Sequence, residues 1–251
     1  MPIFRRSILV ETRATEAEAE VEDDFHRFGV RIRHDGETIL DITGREWRTP
    51  WNTCRHAGRM LSALNGVRLR DNASDFSRQN DPHVQCTHMY ELAAITSANI
   101  VRSVRRRRYD AIVPYPLEGE GQARLLRDGT AFLEWTLARD PDVGGSRRRS
   151  RIVGPAPFAG QDLASVLRVM REDLDPDTYE AAYVLRRAVG LASARWMQLD
   201  SEEFRRPHRL FNEKLGDCFT FQPRHADVIG RIVGSTRDFT DLPGDLLKGR
   251  R

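Results

Sequence analysis

An alternating stretch near the start of the chain limits the fold more than any other feature. In F-G-V-R-I-R-H-D-G-E-T-I-L-D-I, apolar residues such as Val30 and Ile32 alternate with charged neighbours, and the pattern resumes after Asp35-Gly36. Side chains of a strand repeat every two residues, and Asp-Gly between two alternating runs is the strongest short signal of a β-hairpin. We therefore predict an antiparallel hairpin over residues 28–42, with Val30 and Ile32 buried.

The remaining patterns predict a mixture of strands and helices. The run E-A-E-A-E-V-E before the hairpin suits a further strand, although the same Glu/Ala pattern also suits a helix. Helical spacing of apolar residues starts at Cys54 and again near Cys86, and Asp128-Gly129 predicts a second hairpin. No strand–helix–strand alternation occurs and no internal repeat is visible. We predict an α+β fold with an antiparallel β-sheet and segregated helices.

We predict that these elements form a single domain over residues 1–251. The expected parts are a strand–hairpin–helix core with a metal site (5–108), further strands (109–139), helices (160–200, including a run over 161–171) and a mixed tail (201–251).

The charge and cysteine content exclude several classes of protein. Charged residues make up 31% of the chain, but both signs are present and the net charge is only +3. That value is too small to indicate a nucleic-acid partner, and no apolar run of about 18 residues predicts a membrane span. The three cysteines do not form a disulfide framework, so we expect a reduced, cytoplasmic protein. No G-x-x-x-x-G-K-[ST] motif predicts a nucleotide cofactor, and a homo-oligomer is left open.

Cysteine and histidine lie together where two helices are predicted to begin. Cys54 follows R-T-P-W-N-T, and Cys86 and His88 stand in V-Q-C-T-H. Thiolate and imidazole are preferred zinc ligands, and helix N-termini lower the pKa of a thiol. We predict a zinc site formed by Cys54, Cys86, His88 and Asp24, with the adjacent Asp23 and His26 as alternatives for the last ligand. C-x-H is less specific than paired C-x-x-C units, so the spacing alone favours cysteines buried in the core.

Other side chains near these positions are candidates for catalysis and substrate binding. His88 and His26 are candidate bases. Arg48 and Arg55 could bind a phenolate or carboxylate. Trp51 and Tyr90 could stack on an aromatic substrate. Taken singly, each arginine is more often a surface residue and each ring a core residue.

Residues 20–100 resemble the scaffold fold of iron–sulfur cluster assembly. The order of D-G-E-T-I-L-D-I, W-N-T-C-R-H-A-G and Q-C-T-H matches a strand pair, a cysteine at a helix start, a loop, and a Cys/His pair at the next helix. Two features depart from that family. The first scaffold cysteine is replaced by acidic and histidine residues around Asp23, and Cys86 and His88 are separated by Thr87.

The chain as a whole resembles an uncharacterised bacterial family with a domain of unknown function, met in gene clusters for aromatic and lignin catabolism. The resemblance rests on E-D-D-F-H-R-F, R-T-P-W-N-T-C, C-T-H-M-Y-E-L and V-G-S-T-R-D-F. Within that setting the chain is similar to the γ-formaldehyde lyases that act on phenylcoumarans.

The resemblance implies a carbon–carbon lyase for a small aromatic substrate. Such an enzyme releases formaldehyde from the hydroxymethyl side chain of a lignin-derived phenylcoumaran or diarylpropane and leaves a stilbene. A metal bound at the predicted zinc site could assist the reaction. The alternative reading is a non-enzymatic zinc or iron–sulfur scaffold.

Overall fold

The computed structural model describes residues 2–76, 78–79, 81–115, 117, 119–139, 150–197, 199–205 and 208–250. Eight strands form one antiparallel sheet in the order β4-β3-β2-β1-β5-β6-β7-β8. Their bounds are β1 Ile3–Thr12, β2 Glu16–Asp23, β3 Arg27–His34, β4 Ile39–Arg48, β5 Arg106–Pro114, β6 Glu120–Arg127, β7 Thr130–Arg139 and β8 Ser150–Gly154. The Glu/Ala run is therefore a strand, β2.

In the described part of the chain, six α-helices and several 3₁₀ helices accompany the sheet, so the predicted α+β class is confirmed. The α-helices of the described residues are α1 Ala73–Phe76, α2 Thr87–Val101, α3 Val166–Val169, α4 Pro176–Ala192, α5 Glu202–Arg205 and α6 His208–Glu213. Within the described residues, no helix is long and apolar enough to cross a membrane.

The predicted hairpin at Asp35-Gly36 is confirmed. Strands β3 and β4 pair around it, and Val30 and Ile32 are buried. Gly36 has a φ of 96°, a left-handed conformation that glycine adopts without strain. The Asp35 carboxylate accepts hydrogen bonds from the backbone N–H groups of Glu37 and Thr38 at 2.9 and 2.7 Å. These bonds favour the ionised form and lower the pKa of Asp35 to about 2.

Two predicted helices differ from the structure. The segment that begins near Cys54 is a 3₁₀ helix, Asn52–Leu64, and not an α-helix. In the predicted run over 161–171, only α3 is α-helical. The cause lies at its start, because the backbone of Gln161 accepts a hydrogen bond from Ile152 of β8 and Asp162 forms a bridge with Arg151. Residues 161–162 are therefore extended beside the sheet.

The same order of elements occurs twice along the chain. Strands β1–β4 form an antiparallel meander that precedes α2, and β5–β8 form a second meander that precedes α4. The halves join where β1 pairs with β5. Helix α2 packs on β1–β3, and α4 packs mainly on β5–β7. The sequence reveals no such repeat because the halves share topology and not residues.

Close packing between β4 and the 3₁₀ helix Asn52–Leu64 generates the first prediction. A Cβ atom at Gly44 would lie 2.6 Å from Met89 Sδ and 2.8 Å from the Cα atom of Gly58. Because backbone cannot move aside, we expect Gly44→Ala to lower the free energy of unfolding by about 1–3 kcal/mol. Gly190→Ala is the matched control, since its Cβ would meet nothing within 4 Å in α4.

In a helix interior alanine is favoured over glycine, so Gly190→Ala should raise the free energy of unfolding by about 0.5–1 kcal/mol. Urea unfolding of the two variants beside the wild-type chain measures both changes. Equal stabilities of Gly44→Ala and the wild-type chain would contradict the packing described for β4.

Candidate active site

A tight turn after β2 holds Asp23 and His26 together. Asp23 Oδ1 accepts hydrogen bonds from the backbone N–H groups of Phe25 and His26, both at 2.9 Å. His26 Nδ1 lies at 2.9 Å from the same oxygen. Because a carboxylate only accepts hydrogen bonds, Nδ1 carries the proton of the neutral ring. Nε2 is then the His26 nitrogen that can accept a proton or bind a metal.

His88 lies beside His26 at the start of α2. The ring centroids of the two histidines are 4.0 Å apart, and His88 stacks on Phe28 at 5.6 Å. Burial lowers the pKa of His88 well below its usual value, and the neighbouring His26 and Arg187 act in the same direction. His88 is therefore a neutral imidazole at pH 7.

These residues form a group that could hold a metal ion. In the described part of the chain, Asp23, His26 and His88 bring one ligand atom each to within 4.8 Å of one another, and all three residues are buried. Two imidazole nitrogens and a carboxylate oxygen suit zinc or another first-row metal. His88 Nδ1 is buried without a hydrogen-bond partner among the described residues. An orphaned nitrogen of this kind fits a group that binds a further ligand.

A fully buried arginine supports the group from β1. Arg6 Nε lies 3.4 Å from Asp23 Oδ2, and its two terminal nitrogens bind the carboxylate of Glu91 on α2 at 3.2 and 2.7 Å. Burial opposes ionisation of Asp23, but His26, Arg6 and the Phe25 N–H together lower the pKa of Asp23. Asp23 is thus an ionised carboxylate that fixes the His26 tautomer.

The two histidines line a cavity of about 590 Å³. Its wall includes six of the residues predicted from the sequence for substrate, base or metal roles: His26, Trp51, Cys54, Cys86, His88 and Tyr90. Residues of α4 and of the segment that follows α6 also line the cavity. The volume lies within the range of pockets for drug-sized ligands, and the aromatic side chains offer flat apolar surface.

Cys54 and Cys86 lie outside the group of three. Cys54 Sγ is 3.0 Å from the Thr220 hydroxyl. Burial raises the pKa of Cys54 to about 12 and raises that of Cys86 as well. Cys86 does precede α2, and nearby backbone N–H groups lower its pKa, but burial outweighs them. The expectation that helix N-termini would give thiolates is therefore wrong for these two side chains, which are protonated thiols.

Asp24 also lies outside the group of three, although the adjacent Asp23 is one of its members. The Asp24 carboxylate forms an ion pair with Arg195 at 3.0 Å. Burial raises its pKa to about 7, against the opposing effect of Arg195.

The two arginines predicted for catalysis do not line the cavity. Arg55 is exposed on the 3₁₀ helix. Arg48 donates hydrogen bonds to the carbonyl oxygens of Asp23, Asp24 and His26 at 2.5, 2.8 and 3.2 Å. Arg48 thus fastens the turn that carries the Asp23–His26 pair.

Sequence reasoning missed four residues of this region: Arg6, Glu91, Tyr183 and Arg187. Arg187 lies on α4 near Tyr183, with its Nε 3.6 Å from Glu91 Oε2. One signal was available for Arg6, which stands two residues from Phe4 and from Ile8 in the apolar alternation of β1. An arginine at an inward position of a strand indicates a buried carboxylate partner.

A scan against models of protein families found no match for this sequence. A search of curated proteins found no significant match.

The buried thiols generate the second prediction. For Cys54, a rise in pKa from 9.0 to about 12 reduces the thiolate fraction roughly 10³-fold. In Cys218→Ser, which removes the partly exposed third thiol, we expect Cys54 and Cys86 to be almost inert to dithiobis-nitrobenzoate at pH 8. Both should react at once after addition of guanidinium chloride. Rapid reaction of either thiol in the native variant would contradict the burial described for it.

Proposed function

We propose that the cavity is the active site of a carbon–carbon lyase that releases formaldehyde from a lignin-derived aromatic alcohol. The main support is the oriented Asp23–His26 pair, whose second imidazole nitrogen is left to accept a proton beside an aromatic-lined cavity. The substrate would be a phenylcoumaran or diarylpropane with a hydroxymethyl side chain, and the organic product a stilbene.

The pair supplies the base that this fragmentation needs. His26 Nε2 takes the proton of the γ-hydroxyl group, and the oxygen forms the C=O bond of formaldehyde as the Cβ–Cγ bond breaks. In a phenylcoumaran, the released electron pair forms the Cα=Cβ double bond and expels the ring oxygen at Cα as a phenoxide; in a diarylpropane with a hydroxyl group at Cα, that group leaves as water after it takes the proton. The phenoxide then receives the proton from His26. The step needs no oxidant, reductant or water, and Asp23 stabilises the imidazolium that forms.

Cationic side chains on the cavity wall would support the phenoxide. Arg187 lines the cavity. The carboxylate that pairs with it, that of Glu91, already accepts hydrogen bonds from both terminal nitrogens of Arg6. The guanidinium of Arg187 and the hydroxyl of Tyr183 are therefore the candidate donors to a developing negative charge. They take the role expected of Arg48 and Arg55.

Zinc is the metal that the donor set favours, with Asp23, His26 and His88 as the residues that would hold it. Because His26 Nε2 would then be a zinc ligand, the metal is an alternative to His26 as the base. When bound, it would polarise the hydroxyl group of the substrate and lower the pKa of that group.

A non-enzymatic metal scaffold is the second candidate, and the group of three close ligand atoms is the observation that favours it. An iron–sulfur cluster receives less support. Such clusters are held mainly by cysteine thiolates, and the group of three close ligand atoms contains no cysteine.

The third prediction tests the lyase with three variants. His26→Gln removes the base and should lower formaldehyde release from a phenylcoumaran by about 10²–10⁴-fold. Asp23→Asn should lower it by a similar factor, because an amide does not hold the Nδ1–H tautomer. His56→Gln, which changes an exposed histidine outside the cavity, should keep full activity.

Formaldehyde release is measured beside the zinc content of each purified variant and its near-ultraviolet circular dichroism, which reports the fold. Full activity of folded His26→Gln would refute the role of His26. A wild-type chain that binds one zinc ion but turns over neither substrate class would favour the scaffold.

A further inference from the structure

Two adjacent arginines of α4, Arg186 and Arg187, line the same cavity as the two histidines. Adjacent like charges repel each other, and the repulsion is stronger beside the low-dielectric walls of a cavity than in bulk water. The surroundings of the two guanidinium groups differ. Arg187 has the Glu91 carboxylate at 3.6 Å.

Arg186 has no carboxylate partner among the described residues. Its Nε donates a hydrogen bond to the carbonyl oxygen of Leu163, which leaves its terminal nitrogens for another acceptor. Burial and the neighbouring Arg187 lower the pKa of Arg186, so its charged form is held at a cost in free energy. A bound anion would offset that cost.

Arg186 differs from the other cations of the cavity in its ion pairs. Arg6 and Arg187 are opposed by Asp23 and Glu91. Lys214, which also lines the cavity, forms an ion pair with Asp217 at 3.2 Å. Glu213 lines the cavity as well and has an interaction of its own. Within the described part of the chain, the guanidinium of Arg186 forms no ion pair with a carboxylate, and it therefore suits a ligand that brings one.

We propose that the cavity binds an aromatic ligand that carries one carboxylate, with Arg186 as the residue that recognises this group. A guanidinium and a carboxylate form paired, charge-assisted hydrogen bonds. The volume of about 590 Å³ admits a ligand of two aromatic rings, with the carboxylate at α4 and the reacting side chain towards His26. The inference rests on the proposed function only in taking the ligand to be the aromatic substrate or product of the lyase.

The test compares two product-like probes by calorimetry, 4′-hydroxystilbene-4-carboxylate and its methyl ester. Neither probe has a hydroxymethyl group, so no turnover accompanies binding. At pH 7 the carboxylate should bind the wild-type chain about tenfold or more tightly than the ester. Arg186→Gln should weaken binding of the carboxylate by about 10–100-fold and leave the ester unchanged, and Arg186→Lys should recover part of the loss.

Arg168→Gln is the matched control. It removes the same charge from an exposed position on α3 outside the cavity, and both affinities should stay as in the wild-type chain. Equal affinities of the wild-type chain for acid and ester would overturn the inference. So would an Arg186→Gln variant that still prefers the acid.

The outcome is separable from that of the lyase assay. If the chain binds the acid more tightly than the ester but releases no formaldehyde, the carboxylate site is supported and the lyase reaction is refuted. If it releases formaldehyde equally well from an acid substrate and its ester, the lyase reaction is supported and the carboxylate site is refuted. If Arg186→Gln does not fold, the comparison of acid with ester in the wild-type chain and in Arg186→Lys still decides the question.

Discussion

The site depends on the buried guanidinium of Arg6. It lies between the carboxylates of Asp23 and Glu91 and so joins β1, the end of β2 and α2. Removing one partner of a buried ion pair leaves an uncompensated charge, at a cost of about 3–5 kcal/mol. The contacts among Arg6, Asp23 and Glu91 therefore form and break cooperatively. Because His26 follows Asp23 in the turn and His88 precedes Glu91 on the helix, the same network brings the two imidazoles into contact.

Helices α2 and α4 each carry a buried glutamate at the same position, but the two glutamates have different partners. Glu91 is the fifth residue of α2, counted from Thr87, and Glu180 is the fifth residue of α4, counted from Pro176. Both carboxylates are fully buried against the sheet. Glu91 binds an arginine next to the histidines. Glu180 accepts a hydrogen bond from the Tyr109 hydroxyl at 2.5 Å, within a closed polar network. The first half thus holds Asp23, His26 and His88, while α4 of the second half supplies arginines to the wall of the cavity.

Local patterns in the sequence were enough to predict the sheet. Alternation and the Asp-Gly turns specify β3, β4, β6 and β7, because strand periodicity and turn conformation depend on near neighbours. The start of α2 near Cys86 was also predictable. The ligand set was not, because it depends on contacts between distant residues. Arg6 and Glu91 are 85 positions apart, and no spacing rule indicates that a carboxylate at Asp23 would meet them. The thiols of Cys54 and Cys86 are buried by segments that follow far along the chain, and this burial decides their protonation.

Asp23, His26 and His88 form one buried group whose rings and carboxylate are oriented before any ligand binds. A nitrogen-15 NMR titration of the histidine rings can show this. We expect neutral His26 to carry its proton on Nδ1, and His88 to stay neutral well below pH 6.5, the midpoint expected of a free imidazole. A His88 ring that titrates near pH 6.5, together with a His26 proton on Nε2, would show that no such group exists.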